Sequence, residues 1–434
     1  MIYGGDGLAR LPADARGRGK AAFVPFVLGG EKVEASVTEQ KPGFVRARAE
    51  SVVELSPHRV QPPCPYFGQC GGCHYQHADY EHQLEIKKVI LAETLRRTAK
   101  LELAVQLEVH PSPPWNYRNR SRLQVQTGPQ FKIGYFKIGS HELLPVEECP
   151  ISSPLINRGI AALWRSGSAG RMPLGVREIE FFANGDDSQL LIEVSATADA
   201  RRVALRSWSE ELRASMAEIA GVVTFRDTKP GQAPEKLLTV GEGHLTYQLQ
   251  RAAYRVSAGS FFQTNRHLTD ELVKIVTNGQ SGELAIDLYA GVGLFSTALC
   301  DIRHIVSVES SQTSTADLAY NLSSNGEAVQ ATTEQYLDGL GKKGRVGKGA
   351  VLPHSLHKPD LAVVDPPRSG LGERVARKLA TLGAPRVVYV SCDPVTLARD
   401  LVTLLGAGYR VEQAHLMDLF PQTYHLESVF HLVR

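Results

Sequence analysis

Four segments near the C-terminal end share one pattern, a short apolar run closed by a charged residue or a glycine turn. Leu284-Ala285-Ile286-Asp287-Leu288 runs into Tyr289-Ala290-Gly291-Val292-Gly293. His304-Ile305-Val306-Ser307-Val308 ends in Glu309, Leu361-Ala362-Val363-Val364 in Asp365-Pro366-Pro367-Arg368, and Val387-Val388-Tyr389-Val390 in Ser391-Cys392-Asp393-Pro394. Short uninterrupted apolar runs bounded by turn residues predict buried strands. After the fourth run Asp393 is a good N-cap and Pro394 suits the first helical position. Thr396 to Leu405 then keeps apolar residues at helical spacing until Gly406 and Gly408. Residues 256–434 therefore predict a doubly wound α/β domain.

Upstream the period changes. Residues 1–57 hold three short strand patterns, Ala21 to Val27, Lys32 to Thr38 and Val45 to Leu55, between Gly, Pro and charged turns. They predict a small OB-like barrel of the kind that binds oligonucleotides. Residues 58–255 mix one helical segment, Tyr80 to Thr98, with several strands, an α+β pattern. Within them Trp115 to Gly139 carries five basic and five aromatic residues and no acid. Cations for phosphates and rings for unstacked bases suit single-stranded RNA, and the plainer alternative is a polar strand pair with one solvated face. A second basic stretch, Gly341 to Lys358, predicts a flexible loop.

Composition narrows the class. An apolar fraction of 43% with 39 glycines describes an ordinary globular chain, and no apolar run approaches the ~20 residues that span a bilayer. There is no secretion-type leader pattern, and six cysteines in 434 residues argue against a disulfide framework, so a cytoplasmic monomer is expected. A net charge of +2 means that any RNA footprint must come from local patches.

The strand ends carry the chemistry. Gly291-x-Gly293 after a strand lets backbone approach a ligand, and Glu309 at the next strand end can hold ribose hydroxyls. Position 296, where a dinucleotide fingerprint has its third glycine, is Ser. That moves the reading from NAD toward S-adenosylmethionine, which has no pyrophosphate. Ligands in open α/β sheets bind outside the carboxyl ends of the strands, so Asp287, Glu309, Asp365 and Cys392 are expected to line one crevice. A thiol at a helix start is expected to favour the nucleophilic thiolate, although an isolated cysteine more often packs inertly. Cys64-x5-Cys70-x2-Cys73 in a Gly/Pro-rich loop wants a fourth ligand, for which Cys149 is the candidate. Spacing leaves zinc and an iron–sulfur cluster both open, with His74 and His77 near enough in sequence to serve zinc. Cys300 has no partner and is expected in the core.

The C-terminal half resembles the RNA 5-methyluridine methyltransferase family. Five pieces match in order: Ser260-Phe261-Phe262-Gln263-Thr264-Asn265, the Asp287-to-Gly293 loop, Asp365-Pro366-Pro367-Arg368-Ser369-Gly370, Ser391-Cys392-Asp393-Pro394, and Phe420-Pro421-Gln422-Thr423-Tyr424-His425-Leu426-Glu427. The resemblance implies a class I S-adenosylmethionine fold, Cys392 as nucleophile, Glu427 as base, and cofactor contacts at Gln263, Tyr289, Glu309 and Asp365. It also implies that Cys64, Cys70, Cys73 and Cys149 hold a [4Fe–4S] cluster, as in the family's cluster-bearing branch. Gly4-Gly5-Asp6-Gly7-Leu8-Ala9-Arg10 and the Gly-Glu-Lys-Val at 30–33 resemble that branch's TRAM domain, though the first strand starts late. Leu294 and Thr332 depart from the residues relatives often have. The implied activity is uridine C5 methylation, on 23S ribosomal RNA first and tRNA second, with the target base flipped out of its stack. Two other readings compete. Asp365-Pro366-Pro367 is the start of an amine-methylating motif, but Arg368 replaces its aromatic; a vestigial RNA-binding or chaperone protein would need neither Cys392 nor Glu427.

Overall fold

The structure is a computed structural model, described over residues 1–12, 19–228, 234–340 and 358–434. The basic stretch from Gly341 lies outside these residues, apart from Lys358. Near the N-terminus β1 (Asp6–Arg10), β2 (Ala21–Pro25), β3 (Lys32–Gln40) and β4 (Phe44–Glu54) form a sheet in the order β1-β2-β4-β3. Its small core is Val24, Val27 and Ala47. Among the described residues no ladder joins the outer strands β1 and β3, so the expected barrel is here an open four-stranded sheet.

The helical segment follows as α1 (Tyr80–Thr94), extended by a π turn over Leu95–Ala99. Asp79 caps it by accepting the His82 N–H at 2.7 Å. After the short β5 (Leu107–His110) come β6 (Arg120–Gln126), β7 (Lys132–Phe136), β8 (Leu143–Pro145), α2 (Pro154–Ser168), β9 (Val176–Ala183), β10 (Leu190–Ala196), α3 (Arg202–Ser215), β11 (Ile219–Arg226) and β12 (Glu235–Gly241). Strands β6 to β12 make a sheet ordered β12-β11-β10-β9-β6-β7-β8, with Leu163 of α2 and Trp208 of α3 buried against Phe181 and Ile192.

A hairpin, β13 (His244–Gln248) and β14 (Ala253–Ser257), and α4 (Thr269–Thr277) lead to the last sheet. Its parts are β15 (Gly282–Leu288), β16 (Ile302–Glu309), α5 (Gln312–Asn321), β17 (Gly326–Gln330), α6 (Thr333–Leu340), β18 (Leu361–Val364), α7 (Gly372–Leu382), β19 (Arg386–Ser391), α8 (Pro394–Gly406), β20 (Arg410–Met417) and β21 (Glu427–Val433). The order is β17-β16-β15-β18-β19-β21-β20-β5. β15 to β19 pair in parallel, and β21 runs antiparallel to both of its neighbours. Each face carries its own apolar cluster, and successive residues of β18 alternate between them: Leu361 and Val363 on one, Ala362 and Val364 on the other. Burial on both faces is why the strands read as unbroken apolar runs. β5 falls within the expected middle unit yet joins this sheet, parallel to β20.

The Trp115–Gly139 stretch is mostly committed to packing. Arg120 pairs with Glu180 and with Glu193 at 3.0 Å, Arg122 with Glu180 and Glu178, and Tyr117 is fully buried. Carboxylates from neighbouring strands neutralise these guanidinium groups, which the local count of acids did not reveal. The strand-pair alternative is the better description of its first half.

One buried ion pair ties α1 to the last sheet. Lys87 Nζ donates to Asp418 Oδ1 at 2.6 Å and to the Phe420 carbonyl at 2.9 Å, and both charged side chains have no exposed surface. Breaking a buried pair by removing one partner costs about 3–5 kcal/mol because the other charge is stranded, whereas apolar replacement of both is often neutral. We therefore predict that Lys87→Met lowers stability by about 3–5 kcal/mol in denaturant unfolding and that Lys87→Met/Asp418→Leu recovers most of it. A single variant as stable as the wild type would show that the pair is not a lock.

Candidate active site

The parallel strands end together, and their ends open on a cavity of about 760 Å³. Gln263, Tyr289, Glu309, Asp365, Cys392 and Glu427 all line it. After β15 the chain turns through Tyr289 at φ 65°, Gly291 at 57° and Gly293 at 92°. A Cβ at Gly293 would stand 2.9 Å from the Leu318 side chain, so this glycine answers both to backbone conformation and to space. Glu309 at the end of β16 accepts the Gly291 N–H at 3.0 Å and the Ser311 N–H at 2.7 Å, joining two of the loops on the cavity wall. The Ser260-to-Asn265 segment is held from below. Asp317 of α5 accepts the Ser257 N–H at 2.7 Å and the Ser260 hydroxyl at 2.8 Å, while Asn265 donates to Ser112 Oγ at 2.9 Å.

Asp287 does not join this wall. It is fully buried behind the loop, where the Ser296 hydroxyl donates to it and accepts from Ser307 at 2.8 Å. Burial lifts its carboxyl to about 7. The serine in place of a third glycine thus has a structural reason. Of the two departures, Leu294 is buried away from the cavity with its carbonyl on the Tyr254 hydroxyl, and Thr332 lines the cavity while capping α6 through Gln335.

Cys392 and Glu427 meet through strand register. Ser391 of β19 pairs with Ser428 of β21, so one step further along an antiparallel ladder Cys392 and Glu427 stand opposite each other. Cys392 precedes α8, whose N-cap is Asp393 as expected. Asp393 Oδ1, however, accepts the Val395 and Thr396 N–H groups at 3.0 Å each. With those donors taken, burial and then the charges of Glu427 and Asp365 push the thiol up to about 12. The expected resting thiolate is corrected: the site as built holds a thiol. Glu427 is 4% exposed, and burial followed by the neighbouring Asp365 raises its carboxyl well above the carboxylate range. Asp365 rises for the same reason, through burial and then Asp287. Three acidic groups crowd this floor, and Arg368 is the cation that acts against Cys392 and Glu427.

Sequence reasoning gave no role to two residues inside the quoted motifs. Phe261 presents a 61% exposed ring on the cavity wall. His425 borders this cavity and also a second one, of about 250 Å³, lined by Cys64, Cys70, Cys73 and Cys149. Burial and Arg368 hold His425 down at about 3, so it is neutral. His74 and His77 are absent from the cysteine cavity, and Cys300, expected in the core, is exposed.

The sheet order, the Gly-x-Gly loop and the cavity at the strand ends define a class I S-adenosylmethionine methyltransferase. The sequence model of the tRNA (uracil-5-)-methyltransferase family matches residues 79–434, and the chain belongs to that family. It is 33% identical to an uncharacterised RNA methyltransferase of Aquifex aeolicus, over 99% of this chain and 96% of that one. It is also 33% identical to the 23S rRNA (uracil(1939)-C(5))-methyltransferase RlmD of Pseudomonas fluorescens, over 97% of this chain and 92% of that one. The fold is similar to the crystal structure of the Pyrococcus abyssi tRNA (uracil-54, C5)-methyltransferase in complex with S-adenosyl-L-homocysteine, with a TM-score of 0.72, 24% identity, and 99% of this chain and 100% of that one covered.

Because a raised thiol pKa leaves the thiolate fraction growing tenfold per pH unit below that value, alkylation of Cys392 in the free protein should be slow at neutral pH. It should rise about tenfold per unit up to pH ~10. Residue-resolved mass spectrometry after iodoacetamide pulses reads this directly. A plateau reached already at pH 7 would mean that the thiolate is the resting form.

Proposed function

We propose that this chain methylates carbon 5 of a uridine through a covalent Cys392 adduct, with 23S ribosomal RNA as the target and tRNA as the second choice. The carrying observation is that Cys392 and Glu427, from two strand ends, border one cavity with Gln263, Tyr289, Glu309 and Asp365. S-adenosylmethionine, when bound, supplies a methyl group on a cationic sulfonium. The donor set fits such an occupant, since Glu309 offers acceptors for ribose hydroxyls and the Asp365–Glu427 pair lacks a full complement of positive charge. A cation here lowers both carboxyls and the thiol.

The residues then divide the work. The Cys392 thiol releases its proton to solvent, and the thiolate adds to carbon 6 of uracil, forming a C–S bond and driving an electron pair toward the carbon 4 oxygen, so that carbon 5 becomes nucleophilic. After methyl transfer the Glu427 carboxylate takes the carbon 5 proton, the ring double bond reforms, and the sulfur leaves. Glu427 starts as an acid and must ionise first, which a positive occupant favours. Phe261 on the cavity wall suits stacking on a flipped base. The choice of 23S RNA rests on the Pseudomonas fluorescens relative named for it.

The four cysteines fit a [4Fe–4S] cluster better than zinc. A zinc tetrahedron with Zn–S near 2.3 Å draws its sulfurs to about 3.8 Å apart. Among the described residues, the one group of three or more potential metal-ligand atoms lying within 4.8 Å of one another is elsewhere and contains no cysteine. The thiols share a cavity, where burial and then their mutual charge raise Cys64, Cys70 (to about 11) and Cys73, and a bound cation would lower them. Its role is structural. The His74 and Tyr75 N–H groups, directly after Cys73, both donate to the Gln422 carbonyl at 2.8 and 2.9 Å, in the loop that leads to Glu427. The open N-terminal sheet we read as a shortened TRAM-type RNA contact, the first of three units at 1–57, 58–255 and 256–434.

Two tests follow. Cys392→Ala should lose at least about 10³-fold in turnover while still binding cofactor, and Glu427→Gln should complete transfer but release product about 10²–10⁴-fold more slowly, accumulating a protein–RNA adduct on denaturing gels. Tritium release from 5-labelled uridine in 23S RNA and in tRNA decides the reaction and its target, and no release from either overturns the reading. For the cysteines, anaerobic protein should be brown with about four irons per chain. Colourless, fully active protein with one zinc on sulfur would assign the other metal.

A further inference from the structure

On the far edge of the last sheet, β5 and β20 bring together three metal-ligating side chains that the reaction does not use. Glu108 and His110 are two apart on β5 and so project from one face, and the register sets Glu108 beside His415. His110 Nε2 lies 3.1 Å from His415 Nδ1, and His415 Nδ1 lies 3.4 Å from Glu108 Oε2. These donor atoms all fall within 4.8 Å of one another. The edge of a zinc tetrahedron with Zn–N of 2.0–2.1 Å is roughly 3.3 Å, close to the separations of 3.1 and 3.4 Å that His415 makes with its two neighbours.

The second observation is the outer ring nitrogens. His110 Nδ1 is 2.6 Å from Glu271 Oε1 of α4, and His415 Nε2 is 3.4 Å from Gln413 Oε1. With the protons placed on these outer nitrogens, both inner nitrogens have lone pairs free for a cation, which would take the place of the 3.1 Å hydrogen bond between the two rings. A histidine whose far nitrogen donates to a carboxylate is also the usual way that proteins orient a metal ligand.

We propose that Glu108, His110 and His415 form a binding site for a zinc-class divalent cation, which staples β5 to the edge of the methyltransferase sheet. Two imidazoles with one carboxylate suit zinc, cobalt or nickel rather than the oxygen-seeking magnesium or calcium. Three protein ligands leave one position for water. The site opens on its own cavity, of about 560 Å³, which shares no lining residue with the catalytic or the cysteine cavity. The His110 and His415 side chains are 15% and 8% exposed while Glu108 is 60% exposed, so an ion reaches the imidazoles past the carboxylate. The staple has mechanical sense. The β5–β20 ladder holds only four residue pairs, and the His110 carbonyl accepts the N–H of Asp418, the anion of the buried pair, at 3.0 Å.

The test uses the full chain, purified anaerobically and titrated with zinc, with zinc and iron counted together and the zinc environment read by X-ray absorption. The expected result is one zinc per chain at micromolar metal with a nitrogen/oxygen shell near 2.0–2.1 Å and no sulfur. The double variant His110→Gln/His415→Gln should bind at least 100-fold more weakly with iron content and methyl transfer retained, and Glu271→Gln 10- to 100-fold more weakly. Zinc should raise the melting temperature of the wild type and not of the double variant. A sulfur shell at 2.3 Å, unchanged affinity in the double variant, or no zinc bound at micromolar concentration would each overturn the proposal. If the double variant does not fold, the wild-type shell and the Glu271→Gln affinity decide.

Discussion

The Lys87–Asp418 contact is the constraint on which the active site leans. An ammonium and a carboxylate with no exposed surface are tolerable only together, so α1 and the end of β20 have one relative position. The chain from Asp418 to Glu427 starts from that anchor and is gripped along its length. The Gln83 side chain of α1 donates to Gln422 Oε1 and accepts the Gln422 backbone N–H, both at 3.0 Å, Tyr117 donates to the Pro421 carbonyl at 2.9 Å, and the segment after Cys73 holds the Gln422 carbonyl. Gln422 itself sits at φ 69°, a conformation that needs such support. The middle of the chain therefore positions a residue at its end.

Electrostatics explains why so firm a frame is needed. Asp365, Glu427 and Cys392 are mutually unfavourable as anions in a buried site, and Arg368 offsets this only in part. Left mobile, such groups would turn toward water. Held in place, their ionisation is disfavoured together, so that any cation in the cavity and the ionisation of these groups are coupled through ordinary Coulomb interaction. Burial and mutual charge likewise raise Cys64, Cys70 and Cys73 where they share the cysteine cavity.

The long-range ties also account for β5. A strand from residues 107–110 closing the edge of a sheet built from residues 282–433 makes the middle of the chain part of the catalytic sheet rather than an appended module. A destabilised middle segment should for that reason reach the Glu427 loop as a change of position, not only as lost stability.

Much was legible in the sequence because it is local. The unbroken apolar runs are a direct consequence of burial on both sheet faces, the Asp393-Pro394 helix start is capping chemistry, and the six expected residues that line the cavity lie at strand ends or in the segment anchored by Asp317. What the sequence did not determine is set by partners distant in the chain. Asp287 occupies a strand end like the others but is satisfied by Ser296 and turns inward. The arginines of β6 look free until Glu178, Glu180 and Glu193 arrive from β9 and β10. The Cys392 thiol was expected as a thiolate from its helix start, and only the fold brought Asp365 and Glu427 against it and gave the helix donors to Asp393. Composition and spacing decide which groups are available; because electrostatic and hydrogen-bond energies depend on distance and solvent exclusion, the tertiary structure alone decides which of them are charged and which face the ligand.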